Sequence, residues 1–336
     1  MKKTLCLIVK RISDLGERKA IQLICRILSK GTEAIGIGDD CAAFEFENRY
    51  LLVSTDMISE EKHISKKMTP WQIGWFVVAV NLSDIAAKGG KPLGMVLSLG
   101  LPKKTHEIYL KEIIKGADLC ATLYETSIVG GDTKENQNLT ICGTVFGTVK
   151  KDEFMSRKGA KPGDVVAVTG TLGKAGVGYY ALKHNIENKK IIKGLFEPIP
   201  RIKEGMILSS LKVIDSCMDI SDGLSSSLYQ LQKLNKVGFE IEKEKIPLDH
   251  DLIKLERQEN LDIYKYGLHF GGDYELLLTV SSDKFEKVKR SIEKIGNSCT
   301  SIGQVIKNKK VYLIEENYKK ILPNRGFEHF KSSKFF

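Results

Sequence analysis

Apolar positions recur at helical spacing over residues 14–29 (Ile21, Ile24, Cys25, Leu28), and Gly31 supplies a stop. Residues 70–87 predict a second helix, with Pro70 in its first turn and Gly89-Gly90 beyond its end. A third is expected over 105–123. Between these helices the pattern changes to short apolar or alternating runs. Residues 50–54, 95–101, 127–129 and 139–149 each read as a strand, the third entering Gly130-Gly131-Asp132. Gly36-Ile37-Gly38-Asp39-Asp40 reads as a turn-rich loop.

Across 150–164 the periodicity stops, and Lys158-Gly159-Ala160-Lys161-Pro162-Gly163-Asp164 is loop chemistry. A domain boundary is expected near residue 150, dividing the chain into 1–150 and 151–336. The second part opens with a strand at 165–169 and a helix from about Ala175. A strand ending at Asp219, a helix over 224–234 and a strand over 275–280 follow. Strands alternate with helices in both parts, which is the signature of an α/β or α+β fold. Heptads, low-complexity tracts and short-period repeats are absent from the sequence.

At 336 residues, with 42% hydrophobic and 28% charged positions, the chain can bury two ordinary domain cores. The formal net charge of +10 raises the question of nucleic acid. Its lysines are scattered, with small clusters at Lys103–Lys104, Lys189–Lys190 and Lys307–Lys310, whereas nucleic-acid binders gather theirs into a stripe with aromatics interleaved. No nucleic-acid partner is expected; a mild positive field would instead help gather phosphorylated substrates. Seven cysteines without a C-x-x-C pair argue against a disulfide framework or a zinc site and for a reducing compartment. The start, Met1-Lys2-Lys3 with a short apolar run closed by Lys10 and Arg11, is too brief for a signal peptide. No stretch approaches the roughly 18 apolar residues of a membrane span. Cytoplasmic residence is expected, with no membrane partner.

The placement of aspartates is more informative. Asp39 and Asp40, Asp56, Asp84, Asp132, and Asp219 with Asp222 all fall at strand ends, helix ends or glycine-rich turns. Singly, each has a structural reading: Asp222 before Gly223-Leu224 could cap a helix, and Asp39 or Asp132 could shape a turn. Asp84 is different, because it lies in the last turns of the helix 70–87, where the helix dipole disfavours an anion. Close carboxylates repel by about 4 kcal/mol at 4 Å and an effective dielectric near 20. Few lysines or arginines lie within these motifs, so a hard divalent cation, usually magnesium, is the expected partner. Magnesium held by carboxylates points in turn to a phosphate substrate. Gly170-Thr171-Leu172-Gly173-Lys174-Ala175 has the look of a P-loop, but its glycine spacing is short and Ala175 replaces the Ser/Thr. The protein-kinase signatures are also missing.

Five motifs then occur in one order: Gly36-Ile37-Gly38-Asp39-Asp40-Cys41-Ala42, Ser54-Thr55-Asp56, Asn81-Leu82-Ser83-Asp84-Ile85-Ala86-Ala87, Gly130-Gly131-Asp132-Thr133 and Asp219-Ile220-Ser221-Asp222-Gly223-Leu224. Together they resemble the thiamine-monophosphate kinase family, within the superfamily of aminoimidazole ribonucleotide synthetase. Gly159 to Asp164 fits that family's interdomain junction, and the likeness runs from about residue 14 to residue 330. The resemblance implies a two-domain aminoimidazole ribonucleotide synthetase-like fold and a homodimer whose N-terminal domains share a β-barrel. It also implies ATP and several magnesium ions near the inter-subunit cleft, with thiamine monophosphate as acceptor.

By position, Asp40, Ser54, Thr55, Asp56, Asp84, Asp132, Asp219 and Asp222 would hold magnesium. Gly131, Asp132, Arg157 and Ser221 would contact ATP. Asp84, Asp222 and Arg157 would carry catalysis, and His63, Asp273 and Phe327 would face the acceptor. One departure stands out. The family reads Gly-Gly-Glu-Asp-Tyr-Glu-Leu where this chain has Gly271-Gly272-Asp273-Tyr274-Glu275-Leu276, so the family's substrate-contacting glutamate falls on Gly272 or Asp273. An acceptor that is itself a phosphate needs no strong general base, so neither a nucleophilic Ser or Cys nor a phosphoenzyme is expected. The runner-up is an aminoimidazole ribonucleotide synthetase-like ligase. A basic nucleic-acid-binding protein and a metal-dependent phosphatase are more remote alternatives.

Overall fold

The computed structural model describes residues 11–29, 31–259, 261–316 and 318–330. The signal-like start, Cys6 and the C-terminal Lys334-Phe335-Phe336 lie outside them. Two mixed sheets with flanking helices form the α/β architecture. The first contains β1 (Ala42–Phe46), β2 (Arg49–Ser59), β3 (Lys91–Leu101), β4 (Ile128–Glu135) and β5 (Thr140–Lys150), in the order β1-β2-β5-β3-β4. Only β3 and β4 run parallel. The second contains β6 (Val165–Thr169), β7 (Ile214–Asp219), β8 (Gly238–Glu242), β9 (Leu276–Val280), β10 (Cys299–Ile306), β11 (Val311–Glu315) and β12 (Tyr318–Ile321). Its order is β12-β11-β8-β10-β6-β9-β7. Among the described residues the first sheet is open and does not close into a barrel.

Helix α3 (Pro70–Ala87) matches the sequence reading at both ends, for local reasons. Thr69 Oγ1 accepts from Gln72 N–H at 3.2 Å, and Gln72 Oε1 accepts from Thr69 N–H at 3.0 Å, a reciprocal capping box with Pro70 at the first helical position. The helix is apolar all round because every side is covered. The first sheet lies along one side, α4 (Glu107–Leu123) along another, and α7 (Ile202–Ser210) with β7 on a third. Two glycines allow α3 and α4 to touch backbone to backbone. A Cβ on Gly74 would sit 1.8 Å from Ile113 O, and one on Gly116 would sit 1.8 Å from Trp71 O.

In the second sheet the core falls on both faces. Val166, Val168 and Leu277 pack with Leu224, Leu228 and Leu231 of α8 (Leu224–Asn235). Ala167, Leu276, Leu278 and Val280 pack with α3, α7 and α11 (Ser282–Glu293). A strand buried on both sides loses its polar alternation, which is why Leu276, Leu277 and Leu278 follow one another without a polar break. In the first sheet only one face is covered, so β5 buries alternate residues from Ile141 to Val149.

Several expectations are revised. The helix expected over 14–29 breaks at Gly16, whose φ is 74°, into α1 (Ile12–Leu15) and α2 (Glu17–Ile27). Gly130-Gly131-Asp132 is part of strand β4 rather than a loop beyond it. No helix among the described residues is long and apolar enough to cross a membrane. The six described cysteines are free thiols.

The glycine contact between α3 and α4 is testable by substitution. Gly74→Ala meets backbone rather than a mobile side chain, and should cost about 3 kcal/mol in urea unfolding. Gly130→Ala, whose Cβ would lie 3.7 Å from Val96 Cγ1, should be close to neutral in the same assay.

Candidate functional site

Between the two sheets lies a cleft of about 370 Å³ whose wall includes Asp39, Asp40, Asp56, Asp84, Asp219 and Asp222. The six arrive from five segments, Asp39 and Asp40 sharing one. Asp40 ends the loop before β1, Asp56 lies on β2, Asp84 in the last turn of α3, Asp219 at the end of β7, and Asp222 just before α8. Asn81 ties two of these elements together: its Oδ1 accepts from Asp56 N–H at 2.9 Å, and its Nδ2 donates to Val77 O at 2.8 Å. Ser54 Oγ lies 2.5 Å from Asp84 Oδ2 and 3.1 Å from Asp40 O. Ser83 Oγ donates to Asp219 Oδ2 at 2.7 Å. Carboxylate oxygens of Asp40, Asp84 and Asp219 all lie within 4.8 Å of one another.

Two of the six acids are matched by internal cations, which revises the expectation that such partners are scarce. Lys88, fully buried, lies 2.5 Å from Asp39 Oδ1 and 2.7 Å from Asp40 Oδ2. Arg157 donates from Nε to Asp40 Oδ1 at 2.7 Å and from Nη2 to the same oxygen. Asp39 also accepts from Ser156 Oγ at 2.9 Å and from the Arg157 backbone at 3.0 Å. Burial opposes its ionisation, but Lys88 and these donors hold it below its ordinary value. Asp39 is therefore a saturated structural anion.

Asp56, Asp84, Asp219 and Asp222 have no lysine or arginine at ion-pair distance among the described residues. Burial, with Asp56 and Asp219 close by, raises the Asp84 carboxyl well above the usual range. Burial and Asp40 push Asp219 up to about 7. Burial and Glu17 push Asp222 up to about 6. Asp219, buried, and Asp56, Asp84 and Asp222, half-buried, all offer oxygen donors without an ion-pair partner, a set that fits a hard divalent ion such as magnesium. Asp40 Oδ2 is buried with the Lys88 ammonium at 2.7 Å as its partner, and Asp40 joins the set through its closeness to Asp84 and Asp219.

Not every expected residue joins this group. Thr55 and Asp132 sit by register on the face of the first sheet that α3 does not cover: Thr55 pairs with Thr144, Thr144 with Val96, and Ser98 with Asp132. Thr55 Oγ1 donates to Gly143 O at 2.8 Å. The Asp132 side chain is 60% exposed, 3.7 Å from Lys134. Gly131 lies on the same edge strand, against the Leu97 backbone. Thr55 still reaches the edge of the acidic cleft, which Ser54, Arg157 and Ser221 also border, whereas Gly131 and Asp132 do not.

A second cavity of about 750 Å³ adjoins the cleft and shares His63, Phe76, Ser221, Tyr274 and Phe327 with it. Its walls add Tyr179 and Phe270, with Lys62, Lys66 and Lys67 along the rim. His63 Nδ1 accepts from Ser59 N–H at 3.2 Å, which leaves the proton on Nε2. Burial, helped by His329 and Lys62, lowers its pKa to about 4, so it is a neutral donor near pH 7. Phe327 donates its backbone N–H to Asp222 O at 3.1 Å, and its ring meets His329 edge-on at 4.7 Å.

Residues 38–149 match AIR synthase related protein, N-terminal domain, and residues 161–316 match AIR synthase related protein, C-terminal domain. The thiamine-monophosphate kinase of Methanospirillum hungatei is 38% identical over 291 residues, covering 87% of this chain and 92% of that protein. That of Methanocaldococcus jannaschii is 37% identical over 322 residues, covering 90% and 97%. This chain belongs to the thiamine-monophosphate kinase family. Among solved structures, AaThiL complexed with AMPPCP and TMP superposes with a TM-score of 0.86 at 29% identity, covering 96% of this chain and 99% of that one.

Against that family, the departure at Gly271-Gly272-Asp273 takes a definite form. Asp273 lines neither cavity. Its Oδ2 accepts from Gly173 N–H at 2.7 Å and its Oδ1 from Ala175 N–H at 3.1 Å, at the start of α5 (Lys174–Lys183). Its expected role as an acceptor contact is corrected to that of a cap. Gly271 and Gly272 are the ones that face the larger cavity. Lys88 and His329 went unnamed in the sequence reading of this thiamine-monophosphate kinase relative. Lys88 had a usable signal, since it lies four residues after Asp84 on the same helical path.

The raised carboxyls make a signed prediction. Folded Asp219 and Asp222 bind protons more tightly than an unfolded aspartate, which titrates near 3.9. The native state therefore carries the extra protons, and stability falls as pH rises through roughly 4 to 7. In EDTA the Tm should drop by several degrees between about pH 5 and 8, and saturating magnesium should flatten that slope. A metal-free Tm that climbs over this range would contradict the assignment.

Proposed function

We propose that this protein transfers the γ-phosphoryl group of ATP to thiamine monophosphate, giving thiamine diphosphate and ADP. The observation that carries the reading is the junction of the two cavities. Four uncompensated acids line one, and an aromatic, lysine-rimmed pocket of ring-binding size opens directly from it. Membership of the thiamine-monophosphate kinase family supports the same reaction, as does the likeness to AaThiL complexed with AMPPCP and TMP.

Asp40, Asp56, Asp84, Asp219 and Asp222, with Ser54, would hold the magnesium, which supplies charge neutralisation between two polyanions. A phosphate oxygen of the acceptor forms the new bond to the γ-phosphorus while the bond to the β–γ bridging oxygen breaks and ADP leaves. That attacking oxygen is already ionised at neutral pH, so no side chain needs to take a proton. His63, neutral and carrying its hydrogen on Nε2, donates to an acceptor oxygen. Arg157 and Ser221 face the nucleotide phosphates. Phe327, Phe76 and Tyr274 pack on the acceptor's rings and exclude water.

We infer a homodimer as the working unit. The uncovered face of the first sheet carries Phe44, Phe46, Met57 and Val129, between 38% and 64% exposed, in addition to Thr55 and Asp132. A second copy on that face would cover the apolar surface and give Gly131, Asp132 and Thr55 a site to complete. The parts 1–150 and 151–336 are then a nucleotide-metal and dimerisation domain and a domain completing the substrate side. Free thiols support a cytoplasmic setting, and the scattered lysines give no reason to add nucleic acid.

The test is coupled ADP release with magnesium across thiamine monophosphate, thiamine and formylglycinamidine ribonucleotide. Turnover is expected with thiamine monophosphate alone; turnover with the ribonucleotide would favour the ligase reading instead. Asp84→Asn and Asp222→Asn should each lower kcat by about 100-fold or more, in the range of losing a main electrostatic contact, with Tm unchanged or raised. Near-normal activity in both would refute the site. Sedimentation should give twice the 37.6 kDa chain mass.

A further inference from the structure

Lys88 is among the largest fully buried side chains of the protein, yet it carries a charge. It stands at the C-terminal cap of α3, directly behind the acidic cleft, and its Nζ has three oxygen partners. They are Asp39 Oδ1 at 2.5 Å, Asp40 Oδ2 at 2.7 Å and Cys217 O at 3.0 Å. The carbonyl belongs to β7, two residues before Asp219, while the two acids belong to the loop before β1. One ammonium group thus joins three chain segments that supply acids to the cleft. Asp40 is the shared member, held by Lys88 and Arg157 on one side and within 4.8 Å of Asp84 and Asp219 on the other.

We propose that Lys88 is a positioning residue, a built-in counter-cation that holds the Asp39–Asp40 turn in a metal-ready geometry and in doing so weakens the metal's own grip on Asp40. The inference rests on the magnesium reading given above and deepens it. Without Lys88, Asp39 loses its ion-pair partner and Asp40 keeps Arg157 alone, so the metal-free cleft carries more unbalanced negative charge and pushes itself apart. A bound divalent ion relieves that repulsion. By linkage, whatever destabilises the metal-free form more than the loaded form tightens metal binding. Removing a positive charge from behind Asp40 must therefore lower stability in EDTA and raise divalent affinity together. A lysine that merely filled space would lower stability equally in both states. The opposite charge change, at Asp39, leaves Lys88 less neutralised and must weaken divalent binding.

The experiment uses the full chain, with Mn2+ binding followed by electron paramagnetic resonance and Tm measured in EDTA and in saturating Mg2+. Lys88→Met should lower Tm in EDTA by about 5 °C or more, and Mg2+ should recover most of that loss. Its Mn2+ dissociation constant should fall by about tenfold, a 1.4 kcal/mol change. Asp39→Asn, outside the ligand set, should weaken Mn2+ several-fold and shrink the Mg2+-induced rise in Tm. Equal Tm losses for Lys88→Met with and without Mg2+, or unchanged or weaker Mn2+ affinity, would overturn the proposal. Should Lys88→Met fail to fold in both buffers, unchanged or tighter Mn2+ binding by Asp39→Asn overturns it alone. A wild-type protein that binds no Mn2+ would defeat the magnesium reading itself, a result separable from either variant.

Discussion

Repulsion among buried carboxylates is the constraint around which this molecule is arranged. Six aspartates from five segments face one cleft, and among the described residues only Lys88 and Arg157 form ion pairs with them. The remaining charge has to be borne by the scaffold until something positive arrives. That requirement explains why the acids are not on flexible loops alone. Asp56 lies within a strand, Asp84 within a helix, and Asp219 closes a strand buried against Leu276. Rigid elements resist being driven apart, so the site keeps its shape when it is least stable.

Helix α3 is the element that makes this possible. Its apolar surface is shared between the first sheet, α4 and the second half of the chain, so it cannot shift without opening several interfaces together. Asn81, Ser83, Asp84 and Lys88 are polar exceptions on that helix and its cap, and all four spend their polarity on the cleft. The hydrophobic surroundings that hold the helix also raise the Asp84 carboxyl. Packing and electrostatics are thus two consequences of the same burial.

The sequence made some of this legible and hid the rest, and the division is physical. The boundaries of α3 were readable because capping box, proline and terminal glycines are local signals. The strand at 276–280 was readable because double-sided burial leaves four of its five positions apolar. The convergence of Asp40, Asp84 and Asp219 was inferable from motif order, and the structure brings those three together. Which face of a sheet a residue takes was not legible: Ser54 and Thr55 are neighbours, yet one bonds Asp84 and the other bonds Gly143 on the opposite side. Lys88 was easy to pass over for a related reason, despite its spacing of four from Asp84. A lysine near a helix end normally reads as solvated, and only its burial by β7 and the Asp39–Asp40 loop shows otherwise.

The loop at Gly170–Ala175 shows why a local motif can mislead where charge accounting does not. Its glycines and lysine invite comparison with a phosphate cradle, and its backbone N–H groups do point inward at the start of a helix. Two of them are already occupied, because Asp273 accepts from both Gly173 and Ala175. Next to it Glu275 is tied by Arg201 and by Thr169 Oγ1 at 2.8 Å, close enough that a Cβ on Gly170 would fall 2.2 Å from its Oε1. A helix N-terminus that already holds a built-in carboxylate is a poor place for a second anion. Phosphate chemistry in this fold therefore has to be located where anions are unmatched and draw in metal, at the opposite end of the charge balance from a glycine cradle.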